Sequence, residues 1–394
     1  MARTKILIII FLTVHFTVCC GQVKIRLFSN MSPESAVFSV IEGNYKVNGF
    51  NGETLIVTKG EPVIISRFNG KLAVKIRDAS GFECDSVIFT GTTGDDLFSL
   101  RINGGLKVRH NYSGDLKCFP DMGTIVMINV CDNERYIAGV VKAEGGSGKY
   151  EEYFKTQAVI ARTYMYKHLD KHVGDRYNLC DNTHCQAFNG LSYDTLISRA
   201  VLETQNLVIL ARDSTLIVSA FHSNCGGETL SSEDLWLTSK SYLKSVADSY
   251  CLSSRNAVWE KRMSMHDFLE IIMKLGYSGK TDDPSTFSFL QKSRLINYSV
   301  GQFTIPFSTI RTEMKLRSTF FSIVAEGDSV ILKGRGYGHG VGLCQEGAMV
   351  MAAKGFNYQQ IIDFYYSDVL ISDIKNAVVL PQNFPFVGLK TATY

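Results

Sequence analysis

Glu144 ends a mostly apolar segment, Val140-Val-Lys-Ala-Glu144, just before Gly145-Gly146-Ser147-Gly148. A carboxyl group at the edge of an apolar surface has its pKa raised and stays protonated near neutral pH, which a general acid requires. The competing reading is a solvated glutamate at a helix end. Further on, Cys180-Asp-Asn-Thr-His184-Cys185 gathers two thiols and an imidazole. Thiolate and imidazole donors suit zinc, and the set is one ligand short of four. His172 or His168, just upstream, would complete it. A Cys180–Cys185 disulfide and ordinary buried thiols compete with the metal.

Two more stretches carry reactive side chains. His222-Ser-Asn-Cys225-Gly-Gly, with Gly338-His339-Gly340, raises a cysteine–histidine nucleophile pair; against it stands a structural Cys225, bridged to Cys251. Gly334-Arg-Gly-Tyr337-Gly-His339-Gly-Val-Gly-Leu-Cys-Gln345-Glu-Gly-Ala348 is dense in glycine ahead of a helix. Such loops bring backbone amides close to a ligand. Neither a P-loop nor a dinucleotide fingerprint is present, which argues against a nucleotide. A polar ligand such as a sugar suits Tyr337, His339 and Gln345, and a tight turn that needs glycine is the plainer reading.

The elements that must position these groups change character along the chain. Residues 22–119 form a β-rich N-terminal region, with short β-branched runs at Val23–Phe28, Leu55–Val57, Val63–Ile65, Leu72–Ile76 and Val87–Phe89. Asn69-Gly70 and Asn103-Gly104 are turn signals between them. Thr124–Val130 is the strongest strand. A helix is expected from Asn133-Glu134, on Tyr136, Ile137, Val140 and Val141. A second is expected over 151–168, on Phe154, Ala158, Ala161, Met165 and Leu169. Two strands, 208–210 and 216–221, are expected around the Arg212-Asp-Ser turn, then a helix over 265–276, a strand over 330–332, and helices over 345–354 and 358–366. Strands and helices mix without βαβ alternation, which predicts an α+β fold, with mixed sheets and packed helices around a groove.

Composition sets outer bounds. The chain of 394 residues is 45% hydrophobic and 20% charged, with a formal charge of +3. It has room for a large core, and its charge balance gives no case for nucleic acid. Arg3 and Lys5 precede an apolar run from Ile6 to about Val18, which predicts an export signal over 1–21. The alternative is a retained membrane anchor, and Cys19 and Cys20 also permit a lipidated cysteine. Eight cysteines remain after that segment, too few in so long a chain for a disulfide scaffold.

Taken together, the stretches ERYIAGVVKAE, EEYFKTQAVIARTYMY, NLCDNTHCQAFNG, HSNCGGETLSSEDLW with YLKSVAD, and GRGYGHGVGLCQEGAMVMAAKGFNYQQIIDFYY resemble the stage II sporulation protein D (SpoIID) family, which includes the amidase-enhancer proteins. They follow the family's order and define an expected domain over 120–375, leaving a tail over 376–394. The resemblance implies an exported peptidoglycan-binding protein. It also implies lytic transglycosylase activity on the MurNAc-β-1,4-GlcNAc bond, with Glu144 as catalytic acid and base. It implies a structural zinc on Cys180, His184, Cys185 and an upstream histidine, taken as His172. Gln186, Tyr337, His339 and Gln345 carry over as groove residues, and Glu228 and Glu346 are the nearest motif-borne candidates for a second carboxylate. A non-catalytic amidase enhancer, with a cell-wall amidase as partner, is the alternative within the family. Where the family has Met-Pro and then Trp-Pro after the glutamate, this chain has Gly145-Gly146-Ser-Gly-Lys-Tyr, so the groove wall there is expected to differ.

Overall fold

The computed structural model describes residues 21–378 except 50–51, 53, 77–80, 104–107, 147–149, 237 and 281–282. The expected export segment, apart from Gly21, the Gly104 turn position, Ser147-Gly148 and the tail beyond Val378 lie outside the described residues.

Alternating side chains build two sheets that face each other. In the strand Ser35–Glu42 every second residue points inward, burying Ala36, Phe38 and Val40. That strand lies within a six-stranded sheet, and Val87–Gly91 and Tyr45–Gly49 lie within a seven-stranded one. Phe38 stacks on Phe89 of the facing sheet with ring centroids 4.3 Å apart, and Tyr45 meets it edge-on. Such pairs add to the burial of the rings themselves. The Asn69-Gly70 turn has the form its sequence predicts: both residues have positive φ, and the hairpin pairs Phe68 with Lys71.

The chain does not divide at 119/120. That position falls inside the strand Asp115–Asp121, which pairs along its whole length with Thr124–Asp132. Thr124–Asp132 pairs in turn with Gln22–Leu27 at the start of the described chain. The N-terminal strands and the helical segment therefore share one core, running from Val23 to Tyr366. A second core closes around residues 258–335. It is built on the antiparallel strands Val258–Ser264, Ser329–Arg335 and Phe321–Glu326, with Phe268, Phe287, Tyr298 and Phe307 at its centre. Sequence reasoning read little of this unit, because its strands are short and broken by loops.

Eight α-helices are present among the described residues: α1 (Asn133–Gly145), α2 (Glu151–Lys167), α3 (Thr195–Glu203), α4 (Ser232–Trp236), α5 (Met265–Lys274), α6 (Phe307–Glu313), α7 (Gln345–Ala353) and α8 (Tyr358–Tyr365). The fold is α+β. Asp132 caps α1 by accepting from the N–H groups of Glu134 and Arg135, and Asn357 opens α8 with a capping box. The expected second strand at 216–221 does not form as such. Leu216 bridges back to Leu210 and the Ile217 N–H donates to the Ile209 carbonyl, but Leu207–Leu210 takes Leu370–Asp373 as its ladder partner. The chain at Val218 and Ser219 instead bonds to Tyr242 and to the Ile160 carbonyl. No helix among the described residues is long and apolar enough to cross a membrane.

Candidate active site

Glu144 is carried by the last turn of α1. Val140 and Val141, one turn earlier, are buried and fix that face of the helix against the core. The carboxyl is half-buried, and its Oε1 accepts from the Ala187 backbone N–H at 2.6 Å. Burial raises the carboxyl pKa above the ordinary glutamate range, and the Ala187 N–H pulls it part of the way back. Two further elements converge here. Gln345, the first residue of α7, donates through Nε2 to the Glu144 carbonyl at 3.0 Å and to Gln157 Oε1 at 3.4 Å. Tyr153 donates its hydroxyl proton to the Gly145 carbonyl. Both serve carbonyls left without partners at the end of a helix. A carboxyl kept protonated to higher pH and held by a rigid amide can deliver a proton to a bound oxygen and take one back.

The Cys/His cluster hangs beside it from the edge of the seven-stranded sheet. Leu179–Cys180 pairs in parallel with Ile25 and Arg26. The Asp181 carboxylate then anchors the loop by accepting from the N–H groups of Phe28 and Ser29 and from the Ser29 hydroxyl. The Asn182 side chain accepts from the His184 N–H in a turn that folds the histidine back. Donor atoms of His172, Cys180, His184 and Cys185 come within 4.8 Å of one another. His184 Nδ1 is 3.6 Å from Cys180 Sγ, and His172 Nε2 is 3.4 Å from Cys185 Sγ. The contact with Cys185 and the His184 ring lower the Cys180 thiol pKa below the ordinary cysteine value, in the direction a thiolate ligand needs. The other nitrogen of His172 faces Asp175 at 3.4 Å, the carboxylate contact that orients a metal-binding imidazole. This donor set fits a four-coordinate metal. His168, the other upstream candidate, lies tilted against the Tyr164 ring and stays outside the cluster.

Residues 121–210 match the SpoIID family, the stage II sporulation proteins. The chain is similar to the SpoIID and amidase-enhancer proteins. It is 28% identical over 260 residues to stage II sporulation protein D of Bacillus subtilis, covering 61% of this chain and 74% of that protein. With the amidase enhancer of the same organism it shares 27% identity over 283 residues, 58% of this chain and 39% of that protein. The longest of these three alignments, 340 residues at 26% identity, is to an uncharacterized protein of Brachyspira hyodysenteriae and covers 84% of this chain and 89% of the other.

The stretch matched to SpoIID contains Glu144 and all four Cys/His donors. The other expected groove residues divide. Gln345 reaches Glu144 directly. Gln186 is only 1% exposed: it lies behind the site, with Oε1 facing the Tyr136 hydroxyl. Tyr337 and His339 make their contacts elsewhere on the glycine-rich loop. Tyr337 is 46% exposed beneath the Arg317 guanidinium, and the His339 ring neighbours His222 and Trp236. Glu228 and Glu346 are engaged structurally. Glu228 accepts from the Arg294 N–H, and Glu346 accepts from the side chains of Asn224 and Asn256. Cys225 is fully buried, which keeps a substrate from its sulfur, and His222 Nδ1 faces the Val341 carbonyl. Sequence reasoning missed the Ala187 N–H, Gln157, Asp175 and the exposed Trp236. A backbone donor has no sequence signature, and the others become partners only through the fold.

Proposed function

We propose that this chain is an exported peptidoglycan lytic transglycosylase that cleaves the MurNAc-β-1,4-GlcNAc bond, with Glu144 as its single acid and base. The observation that carries the reading is the half-buried Glu144 carboxyl, its pKa raised by burial and its Oε1 fixed by the Ala187 N–H. The SpoIID match over residues 121–210 and the similarity to an amidase enhancer support a role at the cell wall. Protonated Glu144 gives its proton to the glycosidic oxygen as the bond to MurNAc C1 breaks. The C6 hydroxyl of the same MurNAc then closes on C1, and its proton passes to the Glu144 carboxylate. The products are a 1,6-anhydro-MurNAc end and a GlcNAc end with a free 4-hydroxyl, and no water is consumed. Hydrolytic glycosidases need a second carboxylate to activate water or to attack. Here the motif-borne Glu228 and Glu346 are committed to structural partners, which favours the one-acid route.

The Cys/His cluster is proposed to bind zinc through His172, Cys180, His184 and Cys185. Four protein ligands close the coordination sphere, so the metal would serve to hold the loop. Ala187 lies two residues after Cys185, and its N–H fixes the Glu144 carboxyl. His184→Ala is expected to lose one metal equivalent per chain, to unfold at lower temperature, and to lose turnover as the Ala187 contact loosens. Elemental analysis, a thermal melt and a glycan-cleavage assay on one sample would check all three.

The deciding experiment is mass spectrometry of purified glycan strands, with and without stem peptides, after incubation with the protein. Fragments ending in 1,6-anhydro-MurNAc support the transglycosylase. Reducing ends would replace it with a hydrolase. The similarity to an amidase enhancer favours a second reading: glycan binding without fragments, and a faster N-acetylmuramoyl-L-alanine amidase when the two are mixed. The pH profile gives a further check. The protonated carboxyl is the active form, and its pKa lies above the ordinary value of about 4.3. Turnover should therefore persist above that pH and fall as pH rises through the raised value. An alkaline limb centred at or below about 4.3 would remove Glu144 from the acid role.

A further inference from the structure

Beneath the N-terminus of α7 four more donor atoms meet. The sulfurs of Cys225, Cys251 and Cys344 and a carboxylate oxygen of Asp248 lie within 4.8 Å of one another, and all four residues are fully buried. Cys225 Sγ is 3.4 Å from Cys251 Sγ and 3.2 Å from Asp248 Oδ2. Bonds of about 2.3 Å to sulfur place tetrahedral zinc thiolates roughly 3.8 Å apart, so these donors already stand about one coordination sphere from each other.

Their surroundings are those of anionic ligands. The Cys344 sulfur faces two backbone donors, the N–H groups of Cys225 at 3.3 Å and Gly347 at 3.4 Å, at the positive end of α7. N–H groups aimed at sulfur stabilise a thiolate and tune a bound metal. Asp248 is oriented from behind: the Tyr365 hydroxyl donates to Oδ2 at 3.0 Å and the Tyr250 N–H to Oδ1 at 2.9 Å. A buried carboxylate is costly unless a cation or metal compensates it. Gly347 makes the space: a Cβ there would fall 2.4 Å from Asp248 Oδ2 and 2.2 Å from the Tyr365 hydroxyl. The Arg294 guanidinium donates to the Cys225 carbonyl at 2.6 Å and sets a permanent positive charge beside the group. That charge offsets half of the excess of three thiolates and a carboxylate over one dication. A Cys225–Cys251 disulfide would account for two of the four donors. It would leave the Cys344 sulfur and the Asp248 carboxylate, both within the same 4.8 Å group, outside the bond.

We propose that Cys225, Asp248, Cys251 and Cys344 bind a divalent metal of the zinc class, at a site separate from the His172 cluster. Three thiolates and one carboxylate select a thiophilic ion of tetrahedral habit, and four protein ligands make the site structural. Its place in the fold gives it a task. The site ties the 225–251 segment to Cys344, and the next residue, Gln345, holds the carbonyl of Glu144. The inference does not depend on the chemistry proposed for Glu144.

Zinc content of the full chain, produced with zinc supplied, tests it by elemental analysis. Two equivalents per chain are expected. The double variant His172→Ala/His184→Ala should keep one, and the double variant Cys225→Ser/Cys251→Ser should also keep one. Cobalt(II) added to the metal-free histidine variant should give the intense sulfur-to-cobalt absorption of a three-thiolate site. The histidine variant carries the test, because substitutions in the buried cysteines threaten the fold. A folded histidine variant that binds neither zinc nor cobalt would overturn the proposal. So would one equivalent in the parent chain together with a Cys225–Cys251 disulfide found by non-reducing peptide mapping.

Discussion

Glu144→Gln is expected to abolish the release of 1,6-anhydro ends, with a loss of about 10²–10⁴-fold or more in turnover. The carboxamide keeps the shape of the side chain and an oxygen to accept from the Ala187 N–H, so the end of α1 should stay as it is. The amide lacks the one thing the reaction asks of this position, a proton that leaves and returns. A thermal melt that matches the parent's, alongside lost activity, separates chemistry from folding. Because burial raises the carboxyl pKa in the folded protein, the neutral amide removes a group whose ionisation opposes folding at neutral pH. The variant should therefore be at least as stable as the parent there. A variant that cuts at the parent's rate would move the acid elsewhere and leave the one-carboxylate scheme without support.

The largest effect on stability is expected at Arg162. Its side chain is fully buried in α2 and reaches Glu134 in α1 through two nitrogens, Nε at 2.9 Å and Nη2 at 2.5 Å. Nη1 also donates to the Leu207 carbonyl. One guanidinium thus joins α1, α2 and the strand Leu207–Leu210. Arg162→Met leaves the Glu134 carboxylate, whose side chain is 19% exposed, without its counter-charge. Breaking a buried pair from one side costs about 3–5 kcal/mol, while removing both charges costs much less. Urea denaturation should show that loss for Arg162→Met and recover part of it in Arg162→Met/Glu134→Leu. A loss under about 1 kcal/mol, in the range of an exposed ion pair, would mean that the pair does not hold the helices together.

Both positions lay in stretches that the sequence marked, for different reasons. Glu144 stood out because apolar residues at helical spacing led up to it and glycines followed, a pattern set within one helix. Arg162 stood out only as part of a helix, since its partner lies 28 positions away and nothing local pairs them. The cysteines divide in the same way. Cys180, His184 and Cys185 lie close in the chain and advertised a site by their spacing. Cys344 meets Cys225 across 119 positions, and that meeting turns a suspected disulfide pair into a four-donor group. The β-rich region was legible strand by strand, yet its apparent boundary dissolved once Thr124–Asp132 took Gln22–Leu27 and Asp115–Asp121 as neighbours.

What the sequence by itself determined was local: the helices α1, α2, α5, α7 and α8, the Asn69-Gly70 hairpin, and the positions of Glu144 as a candidate acid and of the Cys/His group at 180–185. Periodicity, caps and turn residues act within a few positions, so the chain states them wherever it is read. Only the tertiary structure decided which groups serve them. Gln345 arrives at Glu144 from 201 positions away, the Ala187 amide from 43, and Asp248 joins three cysteines in the core. Those meetings follow from how the sheets pair and which faces the helices bury, and that is settled by the packing of the whole chain.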